Sequence, residues 1–162
     1  MKIKINDQIP DIEIYQLVNG EPHKSKLKDT LGKEKIILFG LPGAFTSTCS
    51  KLHLPGFVKN AENIRAKGIK EIFCLSVNDP YVMNAWGEVN NIGNKIKMLS
   101  DPYLSFTSSI GAEVDRNSKG MGIRSNRYLM IIENFIVVNI HFEKETKECG
   151  LTSAENLLNN LL

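Results

Sequence analysis

Residues 35–49 read KIILFGLPGAFTSTC, and the fold turns on how that stretch divides. Residues 35–41, KIILFGL, are a short and almost continuous apolar run, the mark of a strand buried on both faces. Pro42-Gly43 ends it, because proline lacks the donor that a sheet ladder needs. Beyond the break, Leu54, Phe57, Val58, Ala61 and Ile64 recur at helical spacing as far as Lys67. Gly68 supplies a helix stop. Pro55 lies inside the pattern and predicts a kink or break there.

The alternation of strand and helix continues. Residues 69–77 (IKEIFCLSV) read as a second buried strand. Asn78-Asp79-Pro80 then caps a helix with proline at its first position, running to about Asn90. Residues 96–99 predict a short strand, and 102–110 a short helix ending at Gly111. Residues 128–133 and 135–141, joined around Asn134, predict a hairpin. On the N-terminal side, 11–18 (DIEIYQLV) alternate like a half-buried strand, and 19–25 (NGEPHKS) read as a turn. The last helix opens on the capping-box pattern Thr152-Ser153-Ala154-Glu155, and Leu157, Leu158, Leu161 and Leu162 give it an apolar face. Strands alternating with helices, closed by a hairpin and a helix, predict one domain over residues 1–162, a three-layer α/β/α arrangement around a central mixed sheet.

Composition narrows the classes of function. The chain has 162 residues, 42% hydrophobic and 23% charged, with a net charge of +2. That length buries a core without disulfides or metals, and the proportions are those of a globular domain. No basic stripe stands out, which argues against a nucleic-acid partner. No apolar run approaches the ~18 residues of a membrane span. The charged, alternating start MKIKINDQIPDIEIYQL lacks the apolar centre of a secretory signal, so a cytoplasmic protein is expected. Cys49, Cys74 and Cys149 are widely spaced with no C-x-x-C, which argues against a redox dithiol and a zinc knuckle. In a reducing compartment such a thiol is either a small buried hydrophobe or a reactive nucleophile.

Cys49 is the candidate nucleophile. It falls just past a buried strand, at the first turn of a helix that Thr46 or Ser47 would cap. Backbone N–H groups of a first turn favour negative charge, and therefore the thiolate. Thr46, one turn earlier, brings a hydroxyl to the same place as donor and acceptor. Pro42 adds an apolar wall that keeps water off the sulfur. A hydroperoxide suits such a pocket: sulfur attacks one oxygen, the O–O bond breaks, and fixed donors stabilise charge on the leaving oxygen. The product is a sulfenic acid, which another thiol can reduce.

The pattern P-x-x-x-T-x-x-C at Pro42, Thr46 and Cys49 resembles the active-site motif of the peroxiredoxins. PGAFTSTCS, HLPGF, CLSVNDPYVMNAW and GMGIRSNRY are similar to blocks of the type-II, or type-five, subfamily. The resemblance implies a thioredoxin-like fold, a homodimer, and reduction of hydrogen peroxide and alkyl hydroperoxides without metal, haem or flavin. It implies Cys49 as peroxidatic thiol, Thr46 as hydrogen-bond partner of the peroxide, Pro42 as shield and Arg127 as the cation against the sulfur. Ser47 stands where the family commonly has proline. Cys74, inside an apolar strand, reads as packing, although some relatives assign a resolving role there. Cys149 sits in a polar loop near the place of a resolving cysteine, but precedes Gly150 where the relatives' cysteine follows the matching segment. A one-cysteine cycle recycled by glutathione or glutaredoxin is the first reading. A thioredoxin-dependent cycle using Cys149 is the second, and a redox sensor or chaperone on the same fold the third. His53, four residues after Cys49, would share its helix face, and a Cys–His pair would mark a thiol hydrolase. The plainer reading is a histidine packed beside Pro55.

Overall fold

The computed structural model describes residues 1–162. Its strands are β1 (Glu13–Val18), β2 (Glu21–Lys26), β3 (Ile36–Gly40), β4 (Glu71–Ser76), β5 (Lys97–Ser100), β6 (Glu113–Asp115), β7 (Ile123–Ser125), β8 (Tyr128–Glu133) and β9 (Ile136–Phe142). Its α-helices are α1 (Leu27–Leu31), α2 (Leu54–Ala66), α3 (Pro80–Val89), α4 (Ser105–Ser109) and α5 (Ala154–Asn156). Seven strands form one sheet in the order β2-β1-β5-β4-β3-β8-β9. β3, β4 and β5 run parallel, while β1, β2, β8 and β9 pair antiparallel.

Every residue of β3 is buried, as its apolar run requires. Successive strand residues point to opposite faces. Ile37 and Phe39 pack with Leu54, Phe57, Ala61 and Ile64 of α2, Met83 and Trp86 of α3, and Leu157. Ile36 and Leu38 pack on the other face with Leu27 and Leu31 of α1 and Phe106 of α4. Helices therefore cover both faces of the mixed sheet, the three layers that the sequence predicts. Gly40 faces the ring of Tyr128 across the β3–β8 pair, and a Cβ there would lie 2.1 Å from Cε1. Only glycine fits that approach.

Several local expectations hold. Asp79 caps α3 by accepting from the Val82 N–H, with Pro80 in the first turn. The β8–β9 hairpin turns through Asn134 and Phe135, both at positive φ. Others are corrected. Residues 21–25, read as turn, belong to β2, and only Asn19 and Gly20 turn the chain, both at positive φ. An Asn-Gly pair is the signature of a two-residue hairpin turn. β2 lies at the sheet edge with mostly exposed residues, so it lacks the apolar alternation that marks a strand. The small β6–β7 sheet was not expected either; its strands are three residues each. The final helix is capped by Ser153, which accepts from the Asn156 N–H, while the Thr152 hydroxyl turns to Glu143.

Pro55 does not kink a long helix. It lies in the first turn of α2, and the preceding residues Cys49–His53 form a wide π-helical turn. Within that turn the Leu54 N–H donates to the Cys49 carbonyl, five residues back. Pro55, which has no N–H to donate, sits where the first turn of a helix needs none.

Candidate active site

The end of β3 delivers residues 41–46 to the top of the sheet, and the turn is tied there by side chains. The Ala44 N–H donates to Asn78 Oδ1 at 2.8 Å, and Ser76 Oγ donates to the same oxygen at 2.7 Å. Phe45 takes a left-handed φ of 60°. The Thr46 hydroxyl donates to the Gly43 carbonyl at 2.8 Å, so it does not cap the helix as the sequence suggested; neither does Ser47. With its proton committed to Gly43, the Thr46 oxygen keeps lone pairs for a donor in the pocket. The helix turn is anchored from α3, where Trp86 Nε1 donates to Ser50 Oγ at 3.0 Å. Trp86 is fully buried and belongs to the core.

Cys49 and Arg127 are each 1% exposed, and Arg127 Nη2 donates to the Cys49 sulfur at 3.3 Å. The same nitrogen donates to the Thr146 carbonyl at 2.8 Å. The other terminal nitrogen, Nη1, donates to His53 Nδ1 at 2.8 Å. No carboxylate lies within 4 Å of this guanidinium. A buried cation without a carboxylate is held by hydrogen bonds and by whatever anion the site supplies. Pro42, Thr46 and Arg127 line one pocket of about 190 Å³, together with Arg116, Lys119 and Lys147. Arg124, the other arginine of the RSNRY block, donates through Nε to the Met121 carbonyl and packs its Nη1 against Gly43.

His53 is fully engaged. It is 1% exposed, and its Nε2 faces the Thr152 carbonyl at 3.0 Å. A guanidinium can only donate, so Nδ1 is the acceptor and Nε2 carries the proton. Burial first, then the Arg127 charge, lowers the histidine pKa to about 3 against the pull of the Thr152 carbonyl. His53 is a neutral acceptor for Arg127, not a partner of Cys49. Its spacing from Cys49 was visible in the sequence, but its arginine, far along the chain, was not. Thr146 and Thr152 act through backbone carbonyls, which leave no mark on side-chain identity.

The remaining thiols lie elsewhere. Cys74 is fully buried in β4 beside Phe39, and burial holds its pKa well above the usual thiol range. Cys149 is half-buried, and burial raises its pKa to about 11 despite the Arg127 charge. All three thiols are free. No group of three or more His, Cys, Asp and Glu side chains is gathered to hold a metal.

Known proteins are similar to this chain in sequence and shape. Residues 4–158 match the Redoxin family. The chain is 39% identical over 156 residues to Peroxiredoxin-2D of Arabidopsis thaliana, covering 96% of this chain and 88% of that protein. The crystal structure of reduced Prx3 of Vibrio vulnificus in complex with hydrogen peroxide superposes with a TM-score of 0.90 at 38% identity, over 96% of this chain and 97% of that one. The Plasmodium falciparum antioxidant protein, a 1-Cys peroxiredoxin, does so with a TM-score of 0.88 at 32% identity, over 96% of both chains.

Proposed function

The chain belongs to the peroxiredoxin family, with its thioredoxin-like fold and thiol peroxidase activity, and from that premise we propose that Cys49 is the sulfur that a hydroperoxide oxidises. The observation that carries the assignment is the 3.3 Å contact of Arg127 Nη2 with the Cys49 sulfur, both side chains buried. A guanidinium never loses its charge at working pH, so it faces the sulfur as a donor and a cation throughout.

In the mechanism we infer, the peroxide enters beside Pro42, between the Thr46 oxygen, which accepts its O–H, and Arg127. The thiolate attacks the nearer oxygen. An S–O bond forms, the O–O bond breaks, and the electron pair passes to the far oxygen, which takes up a proton from solvent and leaves as water or an alcohol. Charge grows on that leaving oxygen, where the Arg127 donors stabilise the transition state more than the ground state. Sulfur ends as a sulfenic acid, reduced by an external thiol. The hydrolase reading fails on geometry, because His53 Nδ1 already accepts from Arg127.

For the reductant we favour glutathione or glutaredoxin in a one-cysteine cycle. A Cys149 thiol with a pKa near 11 is a poor nucleophile as it sits. The Plasmodium relative is a 1-Cys enzyme, which supports the same choice. A homodimer is the assembly we infer from the family, and exposed Phe45, Tyr81 and Tyr103 offer apolar contact. The test is peroxide consumption by wild type, Cys49→Ser and Cys149→Ser, each with glutathione–glutaredoxin and with thioredoxin. Cys49→Ser should be inactive with both, and Cys149→Ser should keep full turnover with glutathione–glutaredoxin. Loss of all turnover in Cys149→Ser would establish the two-cysteine cycle instead.

A further inference from the structure

We propose that Glu143 is a positioning residue for Arg127: its carboxylate latches residues 144–152 across the site, and the carbonyls of that segment fix the guanidinium and His53. The inference rests on the roles given to Cys49 and Arg127 above.

Glu143 follows β9 and is 3% exposed. Its N–H donates to the Arg127 carbonyl at 3.0 Å, so the β8–β9 ladder locks it opposite the arginine. One oxygen, Oε1, accepts three hydrogen bonds: from the Gly150 N–H at 2.8 Å, the Thr152 N–H at 2.9 Å and the Thr152 hydroxyl at 3.0 Å. Three donors on one oxygen offset the cost of burying the carboxylate. They also return the chain to its point of departure, closing residues 144–152 into a strap.

That strap has no strand or helix of its own. Yet three of its carbonyls touch the site. Thr146 accepts from Arg127 Nη2 at 2.8 Å, Thr152 faces His53 Nε2 at 3.0 Å, and Lys147 accepts from the Thr48 hydroxyl at 3.2 Å. A carbonyl on irregular backbone is only as fixed as the anchor of that backbone. Glu143 is the anchor, and the arginine that faces the sulfur inherits its order from a residue that touches neither sulfur nor peroxide.

The test compares Glu143→Ala with Glu143→Gln, which keeps an Oε1 acceptor in the same place. Two rates are read for Cys49: oxidation by hydrogen peroxide in a single turnover, and alkylation by iodoacetamide followed at the Cys49 peptide. Alkylation needs the thiolate but not an aligned guanidinium and peroxide. Since misplacing a catalytic group by about 1 Å can cost ~100-fold, Glu143→Ala should slow oxidation by roughly 10- to 100-fold. Alkylation should change by no more than about 3-fold, and Glu143→Gln should restore oxidation to within about 3-fold of wild type, since it keeps the acceptor that the latch uses. A folded Glu143→Ala that is oxidised at the wild-type rate overturns the proposal, as does a Glu143→Gln that is as slow as alanine. If Glu143→Ala does not fold, Thr152→Val, which deletes one donor of the three, carries the test: about a 3-fold or larger fall in oxidation without a matching fall in alkylation supports the latch, and an unchanged rate overturns it. A wild-type Cys49 that reacts with peroxide like an ordinary thiol would instead sink the reading of the site itself.

Discussion

Lowering the pH should destabilise this protein through one buried ring. His53 accepts from Arg127 on Nδ1 at 2.8 Å and faces the Thr152 carbonyl through Nε2 at 3.0 Å, leaving no site for a second proton. Its pKa falls from 6.5 to about 3 in the fold. Because the folded value is the lower one, the unfolded chain binds the proton first, and stability is lost as pH falls through that window. One proton changes stability by about 1.4 kcal/mol per pH unit, so between pH 6.5 and about 4 the histidine should remove about 3 kcal/mol. Wild type and His53→Gln are to be unfolded with urea at a series of pH values in that range. Glutamine offers an acceptor and a donor but takes up no proton, so carboxylate titrations common to both proteins cancel in the difference. The wild type should lose stability more steeply, by about 3 kcal/mol in total. Parallel curves would mean that His53 is not held neutral by burial and Arg127, and the assignment of its tautomer would fall with that.

Two further outcomes follow from contacts already described. Arg127→Gln should slow single-turnover oxidation of Cys49 by peroxide by ~100-fold or more, in line with losing a preorganised donor at a developing oxyanion, and stopped-flow measurement checks it. Gly40→Ala should destabilise the fold by roughly 1–3 kcal/mol in urea titrations, the cost of overpacking, because a Cβ at that position would lie 2.1 Å from the Tyr128 ring.

The parts of this molecule that were legible in its sequence are those whose signals are local. The run over Ile36–Gly40 announces a strand buried on both faces, and Asp79-Pro80 announces a helix start, because burial and capping act on residue type directly. β2 was missed because an edge strand with exposed residues has no need of apolar alternation; the Asn19-Gly20 pair was the signal that could have found it. At the site, motif spacing brought Pro42, Thr46 and Cys49 to notice, and the structure places Arg127 against the sulfur and in one pocket with Pro42 and Thr46. What holds Arg127 was not legible. The His53 contact joins residues 74 apart, and the Thr146 contact runs through a carbonyl that every residue possesses. The π-helical turn over Cys49–His53 was not legible either: Pro55 reads in sequence as an interruption, and in space it sits in the first turn of α2, just past that widening.

The absence of a carboxylate within 4 Å of the Arg127 guanidinium has a thermodynamic corollary. While sulfur is a thiolate, the guanidinium has an anion in direct contact. Once sulfur becomes an uncharged sulfenic acid, the cation is stranded in a medium that solvates it poorly. Oxidation state and conformational stability are thereby coupled: the reduced protein should melt at the higher temperature, and the same difference makes reduction of the sulfenic acid by the external thiol more favourable.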